Sequence, residues 1–447
     1  MARFETIGNA TIIVYEGSEN NSPILATDVW FDEDDAYFGS WRLSHEIPKE
    51  QKDSIIKSKF IFISHFHPDH LNLKSLQKCR NSTILLAQHF GNRMENDLRK
   101  AGFTVINLPS RKWISIGNKT RIILFNNEIQ DSSILIEIED ESGEKTLLLN
   151  LNDSGGRGSI REIGSISSKY KNSFYLQLHS YGDADMVNFF NKDGSRMNPL
   201  PGISKDPIGA QYSIGMKNFN CNISMPFSCH HQYQRRDSFW ANQYITPLED
   251  HYKGFDSQNK NLLLLAPFQK IILKDGNIKA FNINPKPIII EEPIPESKFG
   301  DDWEKKLSKK EADICKEYFN SIETLKKNYS TISIVVGKDK NIMLNNGSGK
   351  ANLIFEVPRN SLMKAIRQEI FDDLLIGNFM KTILIKGNSL YSPDFTFATA
   401  KYADNGRVKT NEQLKDYFAY YNKRRSNLDK LSYIKEKFFN KINRKFN

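Results

Sequence analysis

The sequence predicts an α/β protein built in layers, and three observations carry that expectation. Between residues 1 and about 150, short apolar runs recur with turns between them: "ATIIVYE", "ILATDVWF", "FIFISH", "TILLAQ", "RIILFN", "SSILIEIED" and "KTLLLNLND". Runs of this length, rich in Ile, Leu and Val, suit strands buried against other layers. Helical segments are interleaved with them. "LNLKSLQKCRN" sets Leu71, Leu73 and Leu76 at spacings compatible with one helix, and "GNRMENDLRKAG" reads as another that stops at Gly102. Alternation of the two kinds of segment implies sheets covered by helices. Finally, 447 residues are too many for one simple core, so a large core with an appended domain is expected.

The remaining chain divides in the same spirit. Residues 154–260 hold fewer periodic segments and several special loops, among them "DSGGRGS", "LHSYGDADM" and "PFSCHHQYQRRDSFWANQY". Loops on a strand-rich scaffold are where sites are assembled. The prolines of "NPKPIIIEEPIPES" mark a connection. It divides a sandwich domain, residues 1–295, from a C-terminal α+β domain, residues 296–447. In the latter, a charged helical stretch at about 301–328 precedes the strands "STISIVVG" and "ANLIFEVP". The apolar segment "SLMKAIRQEIFDDLLIGNFMKTILI" follows, with Leu362, Ile366, Ile370 and Leu374 forming one helical stripe. "NNGSGKAN" fails the phosphate-loop pattern, because Leu344 and Ala351 stand where Gly and Ser or Thr are required.

Composition excludes several classes. No apolar run approaches the ~18–20 residues that span a bilayer, and "MARFETIGNATIIVYEG" lacks the apolar segment of a signal peptide. Cys79, Cys221, Cys229 and Cys315 are scattered, without a C-x-x-C pair, which points to a reducing, cytoplasmic setting. Residues 401–447 contain 13 Lys or Arg and 5 Asp or Glu, nearly all of the net +9. A protein that coats nucleic acid would spread that charge, so no nucleic-acid partner is expected. The terminal stretch "SNLDKLSYIKEKFFNKINRKFN" places Leu428, Leu431, Ile434, Phe438 and Ile442 on one helical face. That face is expected to pack on the protein, with peripheral contact to an anionic membrane as the alternative.

Chemistry concentrates in "KFIFISHFHPDHLN". His65, His67, Asp69 and His70 lie within six positions at the end of a strand. His65 and His67 point the same way on extended chain, and Pro68 then turns Asp69 and His70 toward a neighbouring position. Imidazoles and carboxylates at this density suit Zn or Fe, one or two ions per chain, with a hydroxide held between two metals.

The spacing His65-x-His67-x-Asp69-His70 resembles the signature of the metallo-β-lactamase fold, an αββα sandwich with a metal site along one edge. The resemblance implies further residues. Asp28 in "ILATDVWF" looks like the early aspartate that buttresses the site, Asp153 in "LLLNLNDSGG" like the bridging carboxylate, and His230 or His231 like the late histidine. Asn127 stands where a middle histidine is expected, with Gln130 and Asp131 nearby; His179 is a substitute ligand or substrate contact. "AYFGSWRLSHEIPKEQKDSIIKSKFIFISHFHPDHLNLKSL" and "FEVPRNSLMKAIRQEIFDDLLIGNFMKTILI" also resemble segments of the CMP-N-acetylneuraminic acid hydroxylase family. That family carries a Rieske iron–sulfur domain needing two Cys-x-His pairs, and this sequence does not have two, so an oxygenase would depend on an external electron donor.

Asp183 and Asp185 alternate in "SYGDADM" and could face a cavity. Arg235 suits a bidentate contact to an anionic substrate and equally a salt bridge. Trp41 and His45 belong to a packing or pocket position, and His89 and His251 have no ligand-type neighbours in sequence. The expected function is hydrolysis of an ester, amide or phosphodiester of a small anionic metabolite, with Asp69 and Asp28 in catalytic positions. The alternatives are an iron or di-iron oxygenase acting on a nucleotide-sugar-like substrate, and a degenerate sandwich kept as a binding module. The C-terminal domain, without a ligand cluster, is expected to shape the pocket and contribute no chemistry.

Overall fold

Two stacked sheets form the centre of the molecule. In the computed structural model, which describes residues 1–17, 22–31, 36–182, 188–204, 206–384, 390 and 394–430, the first sheet has eight strands. Their order is Asn277–Asn282, Gln269–Lys274, Ala2–Ile7, Thr11–Glu16, Pro23–Thr27, Phe60–Phe62, Thr83–Ala87 and Val105–Leu108. The second sheet has seven, in the order Leu263–Leu264, Ile223–Ser224, Asn172–Gln177, Lys145–Asn152, Ser132–Glu139, Thr120–Asn126 and Ile114–Ser115. Pairing is antiparallel among the early strands and parallel from Pro23–Thr27 onward in the first sheet.

Period-two alternation assigns each strand face. Ile122, Leu124, Ile134, Ile136 and Leu148 point inward against Phe4, Val14, Leu25 and Phe62 of the first sheet. Their neighbours Ile123, Phe125, Leu135, Leu147 and Leu149 point outward beneath Ile163 of helix Ile160–Ser167 and Tyr212 and Met216 of helix Ile208–Asn218. With both faces covered, such strands read as nearly continuous apolar runs, and each large side chain buried contributes ~1.5–3 kcal/mol. The first sheet's outer face carries Ile55, Leu76 and Leu98, from helices Lys49–Lys57, Leu73–Gln77 and Arg93–Lys100. The result is the αββα sandwich that the spacing of motifs implied.

A third sheet orders Phe189–Phe190, Lys381–Leu384, Ala351–Glu356, Tyr329–Val336 and Asp339–Leu344. Its edge strand thus comes from the loop-rich region, and one apolar core joins Trp41 and Leu43 to Leu362, Phe371 and Phe395. The single helix expected through "SLMKAIRQEIFDDLLIGNFMKTILI" is not formed. Helix Arg359–Gln368 stops at Glu369, whose φ is 53°; helix Asp372–Ile376 follows, and Lys381–Leu384 is a strand. The break has a partner: Arg93 donates to the freed carbonyls of Gln368 (2.6 Å) and Glu369 (2.7 Å), satisfying the end of the helix. Among the described residues, no helix is long and apolar enough to cross a membrane. Asp183, Asp185 and the tail positions from Leu431 onward lie outside the described residues; Leu428 lies within them and is exposed.

Candidate metal centre

Three strand ends build the site. After Phe60–Phe62 the chain runs straight into Ser64 and His65, and Pro68 then breaks the strand. The turn closes through Leu71 N donating to His67 O (2.7 Å), and Asn72 caps the next helix by accepting from Ser75 N. Asp28 follows strand Pro23–Thr27 with φ 44° and accepts from Ser64 N at 2.8 Å, so two neighbouring strand ends are tied together. Asp153 follows Lys145–Asn152, whose pairing shifts register between Asn150 and Asn152. Such an irregularity re-aims the side chain beyond it.

The three histidines of the motif have their outer nitrogens clamped and their inner nitrogens turned to one region. His65 Nδ1 meets Ser64 Oγ at 2.9 Å, and His65 Nε2 faces His67 Nδ1 at 2.9 Å. His67 Nε2 meets Asp372 Oδ2 at 3.1 Å. His70 Nδ1 lies 3.2 Å from Asp28 Oδ2, while its Nε2 lies 3.3 Å from Asp69 Oδ2 and 3.5 Å from Asp153 Oδ1. Holding the outer nitrogen of a ligating imidazole fixes its tautomer and aim. His65, His70 and Asp153 have ligand atoms within 4.8 Å of one another.

A cation fits this arrangement. His70 Nε2 is fully buried without a hydrogen-bond partner although two carboxylates surround it. Burial opposes charge on His70, but Asp69, Asp153 and Asp28 outweigh it and raise its pKa well above the ordinary value. In effect, the site calls for positive charge among its oxygens. Burial, with Asp69 adding to it, pushes Asp153 up to about 6. Burial works in the same direction on Asp69, yet His70, His67 and the Tyr37 hydroxyl hold it below the usual carboxylate range. Both Asp69 oxygens are engaged, with Tyr37 Oη donating at 2.5 Å and Asn9 Nδ2 at 2.9 Å.

Several expected site residues lie elsewhere. Arg235 is fully buried and committed to Asp237 and Asp301, each at 2.8 Å, with its guanidinium over the Phe379 ring; it braces the C-terminal region and has no donor left for a substrate. His179 bonds Tyr175 Oη (2.9 Å) and Gln211 Oε1 (3.2 Å) and packs on Tyr212, in the helical layer outside the second sheet. Its contacts are structural, so it does not replace the middle histidine. Nor does Asn127, whose side-chain oxygen accepts from Ile129 N and Asp131 N within its own turn. Gln130 bonds Tyr417 and Tyr421 of helix Asn411–Arg424. From that turn it is Asp131 that bears on the centre. Its buried Oδ1 makes no hydrogen bond, and its charge acts on Asp153. Of the late pair, His231 stacks on Trp41 at 3.5 Å and feels the charge of Asp69, whereas His230 packs on Phe268 and bonds Pro226 O. His89, ordinary by its sequence neighbours, is buried against Tyr421 Oη at 3.0 Å.

The C-terminal region, expected to contribute no chemistry, supplies two members of the site. Asp372 is the clamp on His67, and Lys401 Nζ lies 3.9 Å from Asp372 and 3.7 Å from Asp131. Hydrogen bonding to His67 holds Asp372 low against burial, whereas burial and Asp372 itself push the adjacent Asp373 well up. The available signal was "FDDLL", an acidic pair inside an apolar stripe, since paired carboxylates are rarely buried without a partner.

The two stacked sheets covered by helices, with the His-x-His-x-Asp-His motif at the sheet edge, define the class: the chain has the metallo-β-lactamase fold. No protein-family model matches it. It is similar to the cytidine monophosphate-N-acetylneuraminic acid hydroxylase of Asterias rubens, 28% identical over 144 residues that cover 30% of this chain and 22% of that protein. The Danio rerio hydroxylase is 25% identical over 111 residues, 23% of this chain and 19% of that protein. The match therefore spans about a fifth of the length of these relatives. Among solved structures it is similar to CmlA, a diiron beta-hydroxylase from Streptomyces venezuelae, with 12% identity, 61% of this chain and 54% of that one covered, and a TM-score of 0.40. An isothiocyanate hydrolase from Delia radicum gut bacteria is 12% identical, with 63% of this chain and 100% of that one covered and a TM-score of 0.38.

Proposed function

We propose that the chain is an iron-dependent oxygenase that hydroxylates a small anionic metabolite of nucleotide-sugar type, with electrons from an external donor. The observation that carries this reading is the donor set. His65, His70 and Asp153 are two imidazoles and one carboxylate within ligand reach of one point, a combination suited to non-haem Fe(II) with open positions. Asn127, where a histidine was expected, is tied up within its own turn, and the nearby Asp131 adds negative charge beside Asp153. Iron held there would supply the activation of dioxygen, so that one oxygen atom would enter a substrate C–H bond and the other leave as water, with two electrons from the donor and two protons from solvent. The residues of the chain do the positioning. Ser64, Asp372 and Asp28 orient the three rings, and Tyr37 and Asn9 hold Asp69. The local similarity to two hydroxylases supports the reaction type and the substrate class.

Hydrolysis of an ester, amide or phosphodiester by a zinc-loaded centre is the second reading, favoured by the intact edge motif. It asks Asp69 to accept a proton, and both oxygens of Asp69 already accept hydrogen bonds. Metal analysis of full-length protein purified anaerobically and aerobically, with oxygen uptake followed under an electron-donor system, separates the two. Iron, with uptake stimulated by a CMP-sugar, is expected. Zinc alone, with cleavage of bis(p-nitrophenyl) phosphate and no uptake, would replace the oxygenase with a hydrolase. A metal-free, inert protein would leave the binding-module reading.

A further inference from the structure

Beside the centre lies a cavity of ≈ 580 Å³ whose two sides differ in character. Its inner wall includes Pro68, between the metal-motif residues, and Tyr37, whose hydroxyl bonds Asp69. Phe38, Leu71 and Ile370 add apolar surface, and its rim carries Lys364 and Arg367. These two cations are three residues apart on helix Arg359–Gln368, hence on one face of it. Of the other charged groups lining the cavity, Arg407 pairs with Glu369 and Arg93 with Asp97 at 3.4 Å, while the buried Asp373 feels the charge of Lys364. Lys364 lies 5.6 Å from the centre of the Phe38 ring, and among the described residues neither Lys364 nor Arg367 is within ion-pair distance of a carboxylate.

We propose that this cavity is an anion-binding substrate site, in which Lys364 and Arg367 hold a compact oxyanion, a phosphoryl or carboxyl group, borne by a molecule whose body rests on the apolar wall. An ammonium and a guanidinium side by side match such a group, the first as a point charge and the second as a fork of donors. The cavity places the anionic end at the rim and the rest of the molecule toward Tyr37 and the metal ligands. Helix Arg359–Gln368 thereby becomes the element that selects the substrate. This inference rests on reading the His65–Asp153 centre as the reacting site, and its test is independent of that reading.

The test is calorimetric titration of full-length, metal-loaded protein with inorganic pyrophosphate and, separately, with citrate, repeated on the Lys364→Ala/Arg367→Ala variant. The metal-stripped wild-type protein serves as a further arm, because it separates binding at the rim from chelation by a metal. Saturable binding of at least one anion is expected, retained after metal removal and weakened at least about tenfold in the double variant, with metal content unchanged. The tighter of the two anions distinguishes phosphoryl from carboxyl recognition. Absence of saturable binding, loss on stripping the metal, or equal binding by the double variant would each overturn the assignment. Failure to find any metal, with anion binding intact, would instead refute the metal-centre reading alone.

Discussion

Replacing Asp372 tests whether the C-terminal region belongs to the metal centre. His67 Nε2 and Asp372 Oδ2 lie 3.1 Å apart, both groups are nearly inaccessible, and the two residues are separated by 305 positions in the chain. With His67 Nδ1 turned toward His65 Nε2, Asp372 fixes the ring by holding the opposite nitrogen. His67 in turn holds the ligating His65, and loss of a partner that orients the ligands costs about 10–100-fold in metal affinity, or ~1.4–2.8 kcal/mol. Asp372→Asn keeps an acceptor oxygen but removes its charge, so about tenfold is expected; Asp372→Ala removes both, so the loss should approach a hundredfold. The assay is a titration of metal-stripped protein with Zn(II), and anaerobically with Fe(II), against a competing chelating indicator. Thermal unfolding of the stripped proteins provides the control for folding. Should Asp372→Ala not fold, the Asn variant decides. Affinities within twofold of wild type in a folded variant would refute the clamp.

Two other perturbations follow from buried groups. Arg235→Ala strands Asp237 and Asp301 without their cation in the interior, a loss of about 3–5 kcal/mol; an unchanged urea midpoint would show that Arg235 is not the brace described. For His89, burial alone lowers the folded pKa to about 3. Its contribution to stability is therefore complete above the unfolded value near 6.5 and is lost as pH falls toward 3. Between pH 6.5 and 4.5 this group costs up to ~2.7 kcal/mol. Urea midpoints at both pH values should diverge less for His89→Gln than for wild type, and equal divergence would contradict the assignment.

What was legible in the sequence was local. His65, His67, Asp69 and His70 lie within six positions, so strand period and one proline bring them to one strand end, and Asp28 and Asp153 were reached through the family resemblance. Asp372, Tyr37 and Asn9 were not found, because only tertiary packing brings them together. The helix break at Glu369 was also hidden: neither glycine nor proline marks it, and Arg93, far away in sequence, holds the freed carbonyls. Arg235 shows the limit of spacing in another form. Its chemistry fitted a substrate and a salt bridge equally, and the deciding partner, Asp301, lies 66 positions downstream. Propensity placed seven of the fifteen strands in the two stacked sheets and missed, among others, Ala2–Ile7, which is paired on both sides in the first sheet.

The central claim is that the buried His65, His70 and Asp153 cluster holds a transition metal. Its most direct test is the metal content of full-length protein purified without chelator, beside His65→Ala and His70→Ala variants, with unfolding followed before and after metal removal. The account predicts at least one transition-metal ion per wild-type chain, loss of it in both variants, and a melting temperature that falls on chelation and recovers on metal return. Wild-type protein that contains no metal, and whose melting temperature is unmoved by added Fe(II), Zn(II) or Mn(II), would contradict it.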